Sequence, residues 1–254
     1  MFIVWGRKIV RRKLGYVADF CPICRKPATF ELQRIGSAGH IYYISAGQGA
    51  LVGFEKQCAK CHTSLNAEPT HYTSVADKKL AFPELVAQTF PKLHEALKAR
   101  LDLEEQIRLA PATISPEDRQ ALIRHPFLLL SPKVEQRYAA THLDLETVLA
   151  FVGAIFLMII GVAVAKKVAL DYEGPALLVF IVVGIVMVGW QLALSGRRYM
   201  RKHIIPVLAG SLKPLKPTSR ELQTTIDELN RLGHKMGSKL KAADLSRHLS
   251  QPAP

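Results

Sequence analysis

Two uninterrupted apolar stretches dominate the pattern of this chain. Residues 148–165 (VLAFVGAIFLMIIGVAVA) carry no charge over 18 positions, and residues 175–194 (PALLVFIVVGIVMVGWQLAL) carry none over 20, with Gln191 as their one strongly polar side chain. A hydrocarbon layer about 30 Å thick needs roughly 20 such residues as a helix, at about 1.5 Å each. Both stretches are apolar all round and not along one stripe, so they predict membrane-spanning helices at about 148–165 and 175–195 rather than core helices of a soluble domain. Nine residues, Lys166 to Gly174, separate them. That is a turn, so the pair predicts a hairpin with both long ends of the chain on one side of the membrane.

Elsewhere the pattern is shorter in period. Residues 28–35, 40–45 and 51–57 are rich in β-branched and aromatic side chains and are divided by the Gly-containing turns GSAG and AGQG, which predicts three short antiparallel strands. From 83 to 145 the spacing becomes helical. Thr89 before Pro91, and Ser115 before Pro116, Glu117 and Asp118, read as helix starts. Phe90, Leu93, Leu97 and Leu101 recur at helical intervals, as do Leu122 and Phe127 further on. Past the second apolar block, Lys213-Pro214-Leu215-Lys216-Pro217 reads as a stiff linker and Thr218 to Glu221 as a capping box. A helix at about 219–248 follows, with Leu222, Ile226, Leu229, Met236 and Leu240 on its stripe; Gly233 and Gly237 argue against one straight rod. That stripe has three possible uses: packing on the cytoplasmic domain, lying on anionic lipid, or binding a partner. The segments are 1–75, 76–146, 147–196 and 197–254, and the fold class is α+β with a membrane hairpin.

Charge changes this picture by adding an orientation. The formal net charge is +13 and is uneven: Lys plus Arg against Asp plus Glu is 10 to 4 in residues 1–75, 10 to 11 in 76–146, and 12 to 4 in 197–254. Arg197, Arg198, Arg201 and Lys202 crowd the exit of the second apolar stretch, whereas the turn holds Lys166 and Lys167. Cytoplasmic flanks carry the basic excess, so a two-helix protein of the cell (inner) membrane with both termini cytoplasmic is expected. The opening MFIVWGRK does not read as a signal peptide, because its apolar run is short and its charges follow it. Arg7, Lys8, Arg11, Arg12 and Lys13, like the cluster after residue 196, are expected to meet phosphates of anionic lipid or, as the alternative, of nucleic acid, with Trp5 and Tyr16 available for stacking on bases. For the basic flanks of a membrane-held chain, lipid is the simpler partner.

Candidate chemistry lies in the four cysteines, which form two C-x-x-C pairs, Cys21/Cys24 and Cys58/Cys61. Two such turns can converge four thiolates on one tetrahedral ion, and zinc is the usual occupant. Cys58-Ala-Lys-Cys61-His62 also matches the attachment pattern of c-type haem, and either pair alone would serve as a redox dithiol. Haem leaves Cys21 and Cys24 without a role, and no βαβ pattern surrounds the pairs, so one structural zinc ion at Cys21, Cys24, Cys58 and Cys61 is expected. His62 and His71 are read as surface histidines.

The opening F-x-x-x-G (Phe2 to Gly6), the basic stretch, C-P-x-C (Cys21 to Cys24) and a Gly-rich hairpin ending in C-x-x-C (Cys58 to Cys61) together resemble the zinc-ribbon domain of small, mostly uncharacterised bacterial proteins. The resemblance covers about the first quarter of the chain and implies zinc at the four cysteines, but no activity. Arg25 and His62 depart from it, standing where a Gly often follows the second cysteine. No catalytic grouping stands out: His94-Glu95 lacks the second histidine of H-E-x-x-H, and Asp102, Glu104 and Glu105 read as a solvated acidic face. The expectation is a non-enzymatic zinc-ribbon protein held at the membrane, with a structural, adaptor or interaction role toward an unidentified protein partner. Nothing in the pattern indicates an oligomeric state; Gly161-x-x-x-Ala165 would let helices approach, but such spacings are common in membrane spans.

Overall fold

The computed structural model describes residues 5–41, 44–45, 47–139, 144–168 and 173–250. They form a mixed α+β chain with one antiparallel sheet near the N-terminus and ten α-helices. The chain divides into two compact units, Met1–Leu129 with Val207–Thr218, and Leu130–Pro206 with Ser219–Pro254.

The first unit is built on five strands: β1 (Trp5–Cys21), β2 (Lys26–Ile41), β3 (Ile44–Ser45), β4 (Ala50–Cys58) and β5 (Ser64–Asn66). Their order is β1-β2-β4-β5, with β3 paired to β2. The three-stranded expectation is therefore corrected. The basic stretch that carries Arg7 to Lys13 is itself a strand of 17 residues, paired along its length with β2 from Trp5↔Ile41 to Cys21↔Lys26. Its charged residues disguise a strand because β1 is exposed or half-buried from Trp5 to Leu14 and is covered only from Gly15 onward. In the covered part, Val17, Ala18, Phe30 and Leu32 are fully buried. The register slips at Lys13/Gly15, where Tyr16 and Ala76 exchange backbone hydrogen bonds. A Cβ on Gly15 would stand 2.5 Å from the Ala76 carbonyl oxygen, so this bulge admits glycine alone.

Helices α1 (Phe82–Thr89), α2 (Leu93–Ala96), α3 (Lys98–Leu109) and the first part of α4 (Pro116–Ala139) complete this unit. Leu85 and Leu93 close a core with Ala18 and Ala76. Thr89 ends α1 instead of starting the next helix: its Oγ1 donates to the Leu85 carbonyl and accepts from the Ala18 amide at 3.0 Å. Ser115 does start α4, accepting the Asp118 amide at 3.1 Å. Inside the sheet, Asp19 pairs with Lys56 and accepts the Tyr72 hydroxyl at 2.6 Å. Residues 213–215, read as part of a linker, are a 3₁₀ turn whose Leu215 is fully buried in the first unit.

The second unit holds the two apolar helices, α5 (Leu145–Val168) and α6 (Glu173–Tyr199); their connection at 169–172 lies outside the described residues. Leu145–Val164 and the stretch from Leu178 are long and apolar enough to cross a membrane, and only 11% of either window is buried. The hairpin contact uses small residues. A Cβ on Gly161 would stand 2.4 Å from the Phe180 ring, and one on Gly184 3.3 Å from Ala154 Cβ, so these two glycines let α5 and α6 pack closely. Helix α6 does not stop at the basic cluster. It passes through a π turn, Met200–Ile204, into α7 (Ile205–Leu212).

The predicted helix at 219–248 is three: α8 (Ser219–Arg231), α9 (Lys235–Lys239) and α10 (Ala242–Ser250). Gly233, at φ 80°, ends α8, where the Gly233 amide bonds to the Asn230 carbonyl and the His234 amide to that of Leu229. Leu222, Ile226, Leu229, Met236 and Leu240 are all buried. Within this unit α8 packs against α9 and α10.

Candidate metal centre

Each cysteine pair sits in a tight turn at a strand end. Cys21 closes β1, Cys24 precedes β2, Cys58 closes β4 and Cys61 precedes β5. In the first turn the Cys24 amide donates to Cys21 Sγ at 3.3 Å. In the second, His62 and Thr63 bond back to Cys58. The residue after each second cysteine takes the left-handed conformation, Arg25 at φ 55° and His62 at φ 54°. The turns thus repeat one geometry, at a position where non-glycine residues are uncommon. Both departures from the zinc-ribbon pattern leave the backbone in the shape a glycine would have given.

The β2–β4 pairing, which sets Phe30 opposite Cys58, brings the two turns together. All four Sγ atoms lie within 4.8 Å of one another. Cys21 and Cys61 Sγ are 3.6 Å apart, and those of Cys24 and Cys58 are 3.8 Å apart. A tetrahedron with metal–sulfur bonds of about 2.3 Å has edges of about 3.8 Å, so these residues fit a four-coordinate ion of zinc's size. No disulfide joins them, and His62 and His71 are exposed outside the cluster.

Crowding divides the four thiols. Hydrogen bonds from Cys21, Cys24 and Cys58 push the Cys61 thiol down, and bonds with Cys21 and Cys24 push that of Cys58 down to about 7. Cys21 is pushed up, first by its hydrogen bond with Cys24 and then by those with the other two and by burial. For Cys24 the bond with Cys21 works downward, but those with Cys58 and Cys61, with burial, outweigh it and push the thiol up. The four thiols thus titrate as one coupled group, and a cation among them favours the thiolate form of all four.

Sequence reading missed the group anchoring the first turn. Arg25, next to Cys24, is buried, and its Nε donates to Glu104 Oε2 at 2.7 Å on α3. Arg100 Nη2 lies 2.8 Å from the other Glu104 oxygen, and Arg25 Nη1 donates to the Ser211 carbonyl at 3.4 Å. Glu104 is therefore no solvated acid: its side chain is 4% exposed. The i, i+4 spacing of Arg100 and Glu104 was visible in the chain, but Arg25 stands 79 residues away.

The basic residues expected to contact phosphate fall into two groups. On β1, Arg11 pairs with Glu55 and Lys13 with Glu31, each at 3.3 Å, while Arg7 and Arg12 are exposed and Lys8 lies beside them. In the second unit, Arg198 is bound to Asp144 through two nitrogens at 2.8 and 2.9 Å, and Lys202 to Glu146 at 2.6 Å; Arg197 and Arg201 are exposed.

Fold and site together define the class: an α+β chain with a four-thiol cluster fit for a metal ion and two helices long and apolar enough for a membrane. Compared with family models, curated proteins and solved structures, the chain matches none. Function therefore has to be read from these residues.

Proposed function

We propose that this protein is a membrane-anchored zinc-ribbon protein with an interaction or scaffolding role. Cys21, Cys24, Cys58 and Cys61 hold one structural zinc ion, α5 and α6 form the anchor in the cell membrane, and both ends of the chain face the cytoplasm. The observation that carries this reading is the convergence of four sulfurs within 4.8 Å of one another, with the Cys21–Cys61 and Cys24–Cys58 pairs at 3.6 and 3.8 Å, near the edge length of a zinc tetrahedron. Four thiolates leave no coordination position for water, so the ion serves folding and not catalysis. A divalent ion with four thiolates has a net charge of about −2, and zinc's affinity for such sites makes it the expected occupant. Orientation follows from the basic excess around Arg197, Arg198, Arg201 and Lys202. The sheet unit is the recognition module, and its partner is a protein.

The test is elemental analysis of the full-length chain in detergent, with a visible absorption spectrum. One zinc per chain and no haem band is expected. Absence of metal, with two disulfides in its place, would end the zinc reading, and a haem band would reverse the topology as well.

A second reading, nucleic-acid binding, is favoured by one feature: exposed Arg7 and Arg12 on the same strand as Trp5, which is 81% exposed, in the long β1–β2 hairpin. It requires retention on nucleic acid that falls steeply with salt. No retention at low salt by the full-length chain would dismiss it.

A further inference from the structure

The second unit carries an open cleft of about 280 Å³ that neither the cysteine site nor the anchor uses. One wall is set by a close contact. The Tyr138 ring packs on Gly196, where a Cβ would stand 2.7 Å from it. Arg137, its neighbour on α4, is thereby held at the cavity: Nη2 donates to Ser195 Oγ at 2.6 Å and the guanidinium lies 5.2 Å from the centre of the Tyr199 ring. Tyr199 in turn stacks 5.2 Å from the His203 imidazole. His203 and Lys202 belong to the π turn Met200–Ile204, and such turns occur frequently at functional sites.

Charge settles what the cavity takes. Its lining has three cations, Arg137, Arg198 and Lys202, against two carboxylates, Asp144 and Glu146. Both carboxylates are engaged, Asp144 by Arg198 and Glu146 by Lys202, which disfavours a metal cation. Among the described residues Arg137 has neutral partners only, and a guanidinium has five N–H donors, of which Ser195 uses one. The surplus is positive. The volume falls just below the usual range of ligand pockets, about 300–1,000 Å³, which suits a phosphate group with a short stub and not a large ligand.

We infer that this cavity binds a phosphate-bearing anion, with Arg137, Lys202 and His203 as its donors. Arginine and lysine are the usual phosphate ligands, the first through paired N–H groups. The cavity is lined by residues flanking the start of α5 and the end of α6, so the source is the headgroup of an anionic phospholipid. That assignment of source rests on the membrane reading; the phosphate chemistry does not.

The experiment uses the full-length chain in detergent, titrated with dioleoylphosphatidylglycerol or with dioleoylglycerol, which lacks the phosphate, and counts retained lipid by native mass spectrometry. One phosphatidylglycerol per chain is expected, with Arg137→Gln and Lys202→Gln each weakening retention about tenfold and Arg231→Gln, exposed at the end of α8 and outside the cavity lining, leaving it unchanged. Millimolar inorganic phosphate is the second arm: displacement of the lipid that also depends on Arg137 assigns the site to soluble phosphate esters, and no displacement assigns it to the headgroup. Equal retention of both lipids, or equal retention by the unaltered chain and both cavity variants, overturns the proposal. Lys202 is an exposed side chain, so its variant remains informative if Arg137→Gln fails to fold. Carbonate-washed membranes test the anchor separately; if the chain is washed out, binding of radiolabelled phosphate with the same variants still decides the cavity.

Discussion

The sheet and the α5–α6 hairpin treat their apolar side chains in opposite ways. Around the sheet, Val17, Phe30, Leu32, Leu85 and Leu93 are sealed by the chain itself. On the hairpin, Phe156, Ile185 and Trp190 are each more than half exposed. Buried side chains of this size contribute about 1.5–3 kcal/mol each, and leaving a hairpin's worth in water forgoes on the order of tens of kcal/mol. A fold has a net stability of only about 5–15 kcal/mol. The sheet hides its apolar side chains within the chain, whereas the hairpin presents them outward on two helices long and apolar enough to cross a membrane.

The sharpest way to break this comparison is to remove the metal ligands. Cys21→Ser or Cys58→Ser in the full-length chain is expected to unfold the sheet, since a structural zinc supplies apparent binding energies of about 10–16 kcal/mol in small domains, while the hairpin stays in the membrane. Hydrogen exchange of β1–β4, read beside carbonate washing, checks both halves. A metal-free Cys21→Ser sheet with unchanged protection would contradict the account. Because a metal ion binds thiolates, zinc uptake near neutral pH should release the protons that the four thiols still hold and weaken as the pH falls. A pH indicator during titration of the chelator-stripped protein reads the number.

Next in size is the buried pair behind the first turn. Glu104→Gln leaves Arg25 charged and buried, and such a break costs about 3–5 kcal/mol. Replacing both, Arg25→Met with Glu104→Leu, should recover most of it. Chemical unfolding monitored at the sheet distinguishes the two; equal loss in the single and double variants would show that Arg25 matters for the turn's left-handed backbone instead.

The hairpin has a matching test of about 1–3 kcal/mol. Gly161→Leu drives a side chain into Phe180, whereas Gly189→Ala has nothing within 4 Å to meet. Thermal unfolding in detergent should fall for the first and hold for the second.

What could be read from the chain in advance divides along the same line as local and distant contacts. The cysteine turns, the apolar helices and the strands around Phe30 and Phe54 are written in neighbouring residues. Strand β1 was hidden because Arg7 to Lys13 obscure its alternation, and its pairing with β2 settles its state. Glu104 looked solvated because its partner Arg25 is distant, and Arg137 carried no signal because Ser195, Gly196 and Tyr199 give it its place. Residues 213–217 looked like a linker because Lys and Pro flank the one buried side chain, Leu215. In each case a charged or polar residue acquired its role from a segment far along the chain, which periodicity does not encode.

The smallest effect probes the polar group inside the sheet. Tyr72→Phe keeps the ring and its edge contact with Phe90 but removes the hydroxyl that donates to Asp19, leaving Asp19 with Lys56. The expected cost is about 1–1.5 kcal/mol. Burial, and then Asp19, push the Tyr72 hydroxyl up from its ordinary value. A group with a raised folded pKa contributes stability that is intact below the unfolded value, about 10 for tyrosine, and lost as the pH climbs through the folded one. The unaltered protein should therefore lose more stability than Tyr72→Phe between pH 8 and pH 11. Equal alkaline slopes in the two proteins, measured by urea unfolding, would mean that the Tyr72 hydroxyl ionises as freely in the folded sheet as in the unfolded chain.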